Sequence, residues 1–209
     1  MERHVRVLSQ EQLEEDVVDA HDLPGIRVTA IGTGARGLGS DVVRADRGTD
    51  TAPSSCAPVS AVLNGASEYT PVGSVVRVAG RKGHSAILTL VSYRPADAAR
   101  AIGELRTALR TCVGFTRDAM NVTCEDIEVT DAPAQGDEGV AFRFATVMGS
   151  GTDSLRIPTS VAAVRHGSTV AVYKAISDVP GKPADIPGDL VDAQSKVLDA
   201  AVRAAPVSG

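Results

Sequence analysis

The three cysteines are the residues of this 209-residue chain whose chemistry is easiest to define. Cys56, Cys112 and Cys124 match neither a metal-binding spacing nor a Cys-x-x-Cys redox pair. They leave open three reduced core thiols, a Cys56–Cys112 bridge or a Cys112–Cys124 bridge. The chain-entropy relation gives about 4 kcal/mol for the longer loop and about 3 kcal/mol for the shorter one. Since disulfides are rare in the cytosol, either bridge would place the protein in an oxidising compartment.

A predicted strand and helix determine where Cys112 points. Residues 85–93 are rich in β-branched and apolar residues and predict a buried strand, and Pro95 suits the first turn of a helix. Apolar residues then recur at spacings of four, three, four and three, which places them on one helical face. These residues are Ala98, Ile102, Leu105, Leu109 and Cys112. Cys112 is therefore expected to face the core, whereas Glu104 and the arginines of this helix lie mostly elsewhere.

A glycine-rich stretch from Gly32 to Gly37 matches G-x-G-x-x-G and follows a short predicted strand, residues 26–31. In dinucleotide-binding folds such glycines let the backbone approach a pyrophosphate closely. Here the following residues start a helix poorly, and a Pro/Ser loop takes the place of a second strand. We therefore expect no cofactor and a flexible connection, with a small nucleotide-binding enzyme as an alternative.

The histidines and serines give no catalytic or metal-binding pattern. His4, His21, His84 and His166 are scattered, and those in predicted hairpin turns are expected to be solvated. There is no G-x-S-x-G nucleophile elbow. The sequence therefore predicts a protein that is not an enzyme and holds no metal.

Composition excludes two classes of partner. The net charge is −5, no basic stripe occurs, and aromatic residues make up 3% of the chain, which argues against nucleic acid. No apolar run approaches the roughly 20 residues of a membrane helix, so no integral span is expected. The first residues lack the apolar region of a signal peptide. Either the chain is cytoplasmic, or a leader has been removed and replaced by a start methionine.

The order of predicted elements indicates the fold class. A capping box at Ser9 and Gln12 starts a helix to about Ala20, and a final helix runs from Asp189 to about Ala204. Its inward residues are expected to be Leu190, Ala193, Val197, Ala201 and Ala204. Hairpins dominate the second half, so we predict an α+β fold with a mainly antiparallel sheet of about six strands and helices packed on it. Residues 1–209 are expected to form one domain, with a poorly ordered start at 1–7 and a long loop at 32–55.

Several short motifs together resemble the actinobacterial extracytoplasmic sensor-domain proteins, which include small lipoproteins and the outer domains of PknH-type receptor kinases. The motifs are Leu-Pro-Gly-Ile from Leu23, Cys-Ala-Pro from Cys56, Leu-Arg-Thr-Cys from Leu109, Gly-Asp-Glu-Gly-Val-Ala-Phe from Gly136, and a C-terminal helix with Gln194 and Lys196. The resemblance covers nearly the whole chain.

The resemblance implies an exported, non-enzymatic domain that binds an unknown small molecule or cell-envelope protein, and a disulfide between Cys56 and Cys112. It also implies anchoring through a removed lipoprotein leader. We expect a cleft formed by the sheet and the loops at 32–55 and 149–154. An interaction module of the cell envelope or a secretion system is the alternative, and it predicts an exposed apolar patch rather than a pocket.

Overall fold

A nine-stranded antiparallel sheet organises the part of the chain that this computed structural model describes, residues 6–31, 47–81, 84–117, 121–149, 154–177, 182 and 185–203. The strands are β1 (Arg27–Ala30), β2 (Thr51–Ala52), β3 (Gly73–Arg81), β4 (His84–Ser92), β5 (Phe115–Arg117), β6 (Val122–Thr130), β7 (Glu138–Met148), β8 (Leu155–His166) and β9 (Thr169–Ser177). Their order across the sheet is β1-β3-β4-β9-β8-β7-β6-β5-β2. The predicted α+β class with an antiparallel sheet is confirmed, but the expected number of about six strands is wrong.

Two very short strands explain part of this difference. β2 has two residues and β5 has three, so neither is long enough to show the alternation by which a strand is recognised in a sequence. They pair with each other at one edge of the sheet. An ion pair of 3.0 Å between Arg117 of β5 and Asp50, just before β2, reinforces this edge.

Four α-helices lie within the described ranges: α1 (Gln10–Asp16), α2 (Ala57–Val62), α3 (Pro95–Ala108) and α4 (Gly188–Arg203). A turn of 3₁₀ helix, Ser54–Cys56, leads into α2. The end of the expected 32–55 loop therefore carries β2 and most of this turn, while residues 32–46 lie outside the described chain. Arg6, expected in a poorly ordered start, donates a hydrogen bond of 3.1 Å to the Ala201 carbonyl oxygen.

The helices cover both faces of the sheet, because successive residues of each strand alternate between two apolar cores. Leu88 and Leu90 of β4 face the core beneath α1 and α4. Val91 and Tyr93 face the opposite core, beneath α2 and α3. We call these the α1–α4 face and the α2–α3 face. The buried strand predicted for residues 85–93 is therefore confirmed as β4.

Helix α3 buries the residues that its periodicity selected. Ala98, Ile102 and Leu105 are at most 2% exposed, and Leu109 and Cys112 just beyond the helix are also buried. The predicted inward face is therefore confirmed.

Helix α4 buries two of the five residues predicted to face inward, Leu190 and Ala201, while Ala204 lies outside the described residues. Leu190, Val191, Gln194 and Leu198 point into the core, whereas Ala193 and Val197 are only partly buried. Gln194 is fully buried although it is polar, so the apolar pattern alone misplaced the inner face. Gln194 is buried because its side chain forms hydrogen bonds with the backbone at the end of α1.

Helix α1 begins as predicted and ends early. Ser9 and Gln12 form the capping box, with the Ser9 side chain accepting from the Gln12 backbone. The helix stops at Asp16 rather than near Ala20. The side chain of Gln194 binds the backbone at this point. It donates to the Asp16 carbonyl oxygen at 2.9 Å and accepts from the Val18 N–H at 3.0 Å. The amide thus replaces helical hydrogen bonds at the end of α1.

Candidate functional site

A cavity of about 240 Å³ lies between α2, α3 and the α2–α3 face of the sheet. Small and branched apolar side chains form most of its wall. They include Ala61 and Val62 of α2, Ala101, Ile102 and Leu105 of α3, and Val170 and Val172 of β9. Ligand pockets in proteins are typically concave, largely apolar and provided with a few polar groups at defined positions. This cavity has those properties, and we call it the α2–α3 cavity.

Gly65 closes one side of the cavity by approaching the sheet more closely than any other residue could. It follows α2 with a φ of +72°, a left-handed conformation that glycine adopts without steric cost. A Cβ added to it would lie 2.5 Å from Cγ2 of Thr89 and 3.3 Å from Cγ2 of Val91 on β4. The absence of a side chain therefore lets residues 65–69 pass over the sheet and bring Ser67, Glu68 and Tyr69 to the cavity.

Tyr93 is the buried polar group of the cavity wall. Its hydroxyl accepts a hydrogen bond of 3.1 Å from the Ser67 hydroxyl and donates to the Gly65 carbonyl oxygen at 3.3 Å. Burial raises the pKa of Tyr93 to about 12, and the Ser67 hydrogen bond acts in the opposite direction. The phenol is therefore neutral at physiological pH and serves as a fixed hydrogen-bonding group.

A second tyrosine joins two acidic residues of the cavity lining. The Tyr69 hydroxyl donates to Glu104 of α3 in a very short hydrogen bond. Its hydrogen bond with Glu104, followed by burial and a hydrogen bond with Glu68, raises the pKa of Tyr69 far above its usual value. Glu68 and Glu104 both line the cavity. The neutral phenol therefore fixes the Glu104 carboxylate, and we call Tyr69, Glu68 and Glu104 the Tyr69–glutamate cluster.

A disulfide ties together the two helices that wall the cavity. Cys56 immediately precedes α2 and Cys112 follows α3, and their sulfur atoms are 2.05 Å apart with a Cα–Cα distance of 5.4 Å. The structure thus brings together the two cysteines that the family resemblance paired. The bond fixes the start of α2 against the end of α3 and so limits how far these walls can separate.

Cys124 stands apart from this pair. It lies on β6, is 2% exposed and is a free thiol. Burial raises the pKa of the Cys124 thiol to about 11, although a hydrogen bond with Thr146 acts in the opposite direction. A protonated, inaccessible thiol is a poor nucleophile, so Cys124 acts as a small apolar side chain.

The histidines do not converge on a site in the described chain. His21 is exposed beside Asp19, with 3.3 Å between Nδ1 and Oδ1. His166 was expected to be solvated in a hairpin turn, and this expectation is wrong. It is the last residue of β8, its side chain is fully buried, and its Nδ1 lies 2.8 Å from Oδ1 of Asp199. This contact links the β8–β9 hairpin to α4.

No group of three or more His, Cys, Asp or Glu residues within the described ranges could hold a metal ion. The glycine stretch from Gly32 to Gly37 lies outside those ranges, as does His4.

The expected cleft does not coincide with the α2–α3 cavity. Of the loop expected at 32–55, Arg47 and Thr49 line the cavity, whereas α2 and α3 form most of its wall. A second, more open depression of about 560 Å³ lies between residues 130–135, β7, β8 and the start of α4. The enclosed and mostly apolar character of the α2–α3 cavity makes it the candidate ligand site.

Sequence reasoning placed Glu104 on the outer part of its helix and gave Tyr69 no role. Tyr69 and Glu104 are 35 positions apart on different elements, so no local spacing could have paired them. The one available signal for a role of Glu104 was its charge, next to the apolar positions of its helix.

Comparison with solved structures identifies the fold. The chain is similar to the extracellular domain of PknH from Mycobacterium tuberculosis, with a TM-score of 0.53 and 10% sequence identity over 93% of this chain and 97% of that one. A putative uncharacterized protein from Mycobacterium smegmatis has a TM-score of 0.41 and 17% identity over 96% and 98%. No protein-family model and no curated protein sequence matches. The predicted resemblance to the outer domains of PknH-type kinases is confirmed at the level of the fold.

In the described part of the chain, none of the helices is long and apolar enough to cross a membrane.

Proposed function

We propose that this chain is a non-enzymatic extracytoplasmic sensor domain that binds a small, largely apolar molecule in the α2–α3 cavity. The observation that carries the proposal is the enclosed apolar wall formed by α2 and α3, whose ends are joined by the Cys56–Cys112 disulfide. The cross-link holds the walls in place before a ligand arrives, and preorganisation of this kind reduces the free-energy cost of binding.

Two observations support a location outside the cytoplasm. A disulfide persists in oxidising compartments and is rare in the cytosol. The solved domain from PknH that shares the fold is extracellular by its description. Within this proposal, residues 1–209 act as one domain, and a removed lipoprotein leader anchors it to the cell envelope.

The distribution of apolar side chains favours a ligand-binding domain over the alternative interaction module. Among the large exposed apolar residues of the described chain, only Met148 and Leu155 are direct cross-strand partners, at the ends of β7 and β8. The others are Ile31, Val72, Val113 and Val129. The cavity instead gathers its apolar side chains in one place. The nucleotide-binding alternative depends on residues 32–37, which lie outside the described ranges.

The cavity volume defines a probe molecule. A cavity of about 150 Å³ accommodates benzene, so 240 Å³ leaves room for an aromatic ring with a short chain. 4-Phenylbutan-1-ol fits this description. We expect its titration into ¹⁵N-labelled protein to shift the amide resonances of α2, α3 and β9 in a saturable manner.

A matched pair of variants locates the binding. Ala101 lines the cavity and Ala99, on the same helix, is exposed. Ala101→Phe should fill the cavity and abolish the shifts, with Ala101→Leu as a smaller replacement if the Phe variant unfolds. Ala99→Phe should bind as the wild type does. Equal binding by all the variants would contradict the proposal.

A further inference from the structure

Within the described ranges, no basic side chain pairs with the Tyr69–glutamate cluster. The Tyr69 hydroxyl has one proton to donate and gives it to Glu104, while the exposed side chain of Glu68 also lines the cavity. An ionised carboxylate accepts several hydrogen bonds, so a single phenol leaves most of this capacity unused. Neither carboxylate makes an ion pair with any residue in the described chain.

Arg47 is the one basic residue among those that line the cavity in the described ranges. It is exposed and forms no ion pair with Glu68 or Glu104. The lining therefore contains two negative side chains and one positive side chain that does not neutralise them. Like charges held close together repel, and a neighbouring cation relieves that repulsion.

On the basis of the ligand-binding function proposed above, we propose that the occupant of the α2–α3 cavity is an amphiphile. It has a compact apolar body and a cationic, amine-type head, and Glu68 and Glu104 bind this head. The apolar body lies against Ile102, Leu105 and Val172. The head lies against the carboxylates of Glu68 and Glu104, which both line the cavity, and its N–H groups supply the donors that the phenol does not.

Two features favour a cation over an anion. An anionic head would add a third negative charge next to Glu68 and Glu104, whereas the neutral phenol of Tyr69 offers it no compensation because its proton is engaged by Glu104. Arg47 could attract an anion, but its side chain is exposed and forms no ion pair with another residue of the described ranges. The carboxylate of Glu104, by contrast, is fixed by its hydrogen bond.

Three probes with the same body test the head group: 4-phenylbutylamine, 4-phenylbutan-1-ol and 4-phenylbutyrate. Their affinities are measured by amide-resonance titration at low salt for the wild type, Glu68→Gln/Glu104→Gln and Glu11→Gln. Glutamine at position 104 can still accept the Tyr69 hydrogen bond, so the double variant removes charge while it keeps the local structure. Glu11 is an exposed residue of α1 on the opposite face of the sheet.

We expect the wild type and Glu11→Gln to bind the amine on the order of tenfold more tightly than the alcohol, a modest preference because ion pairs open to solvent are weak. The double variant should bind the amine and the alcohol equally, and added salt should reduce the preference in the wild type.

The results separate the two proposals. If the alcohol binds but the amine shows no advantage, or the advantage persists in the double variant, the head-group assignment is wrong and the cavity assignment stands. If the acid binds most tightly, Arg47 rather than the glutamates selects the head, and the assignment is equally overturned. If none of the three probes binds the wild type, the ligand-binding function itself is wrong.

Discussion

The side-chain amide of Gln10 pairs with the backbone of Ser74 as a neighbouring strand would. Its Oε1 accepts from the Ser74 N–H and its Nε2 donates to the Ser74 carbonyl oxygen, both at 2.9 Å. β1 covers the outer edge of β3 only from Arg77 to Gly80, so Ser74 would otherwise present unpaired groups. The first residue of α1 therefore completes the hydrogen bonding of a strand that β1 leaves partly uncovered.

Replacement of this amide should weaken the fold. Gln10→Ala is expected to lower the free energy of unfolding by about 1–2 kcal/mol, because two hydrogen bonds to a partly buried backbone are lost. Urea denaturation followed by circular dichroism measures the change. Glu11→Ala, at the exposed neighbouring position, should change stability by less than about 0.5 kcal/mol. An equal loss in the two variants would show that helix propensity, not the Ser74 contact, is responsible.

Gln194 should be the more costly of the two glutamines to replace, because it is fully buried. Gln194→Leu keeps a side chain of similar size but leaves the Val18 N–H and the Asp16 carbonyl oxygen without their partner. We expect a loss of about 2–3 kcal/mol in the free energy of unfolding, since unsatisfied buried groups carry a desolvation cost. Lys196→Leu, on the exposed side of α4, is the control. A Gln194→Leu variant as stable as the wild type would contradict this role.

The Cys56–Cys112 disulfide should affect both the intact mass and the stability of the protein. The intact protein should gain two hydrogen atoms on reduction, and non-reducing digestion should yield one linked peptide pair that contains Cys56 and Cys112. The sequence separation of 56 residues corresponds to about 4 kcal/mol by the chain-entropy relation. Cys56→Ala/Cys112→Ala should be destabilised by a similar amount. Three free thiols in protein from an oxidising compartment would contradict the bond and the proposed location.

Cys124 should make stability depend on pH in alkaline solution. Burial is the main cause that raises its pKa from the ordinary value of 9.0 to about 11, so the folded protein keeps a proton that the unfolded chain loses between these values. The contribution is fully present below about pH 9 and is lost as the pH rises towards 11. Urea midpoints measured across this range should fall more steeply for the wild type than for Cys124→Ala. Parallel curves would contradict the assignment.

The same burial predicts chemical inertness. Iodoacetamide at pH 7.5 should leave Cys124 unmodified in native protein and alkylate it in urea, because the thiol is 2% exposed and protonated. Rapid alkylation of the native protein would show that β6 opens readily.

Hydrophobic periodicity was sufficient for α3 but not for the longer helix α4. The spacing from Ala98 to Cys112 gave the buried face of α3, because packing against a sheet requires an apolar stripe at helical intervals. It failed for α4, where Gln194 occupies the inner face. A buried glutamine is stable there only because backbone groups 176 and 178 positions away receive its amide, and no local pattern contains that information.

Hydrophobic periodicity could not predict the candidate site either, because the residues of the site are far apart in the chain. Gly65, Glu104 and Val172 come from three distant parts of the chain, and the cavity exists only after they are folded together. The Cys56–Cys112 pairing, by contrast, came from a resemblance in the residues around each cysteine, whereas spacing alone left a second bridge open.

The contact between Arg6 and Ala201 determines from which side of the sheet an attached group would project. Both residues belong to the side of the sheet that carries α1 and α4, and they lie close to the first and last described residues. The α2–α3 cavity lies on the opposite side. A label or fusion partner joined next to Arg6 or Ala201 would thus lie behind the sheet, and the cavity on the other side would remain accessible.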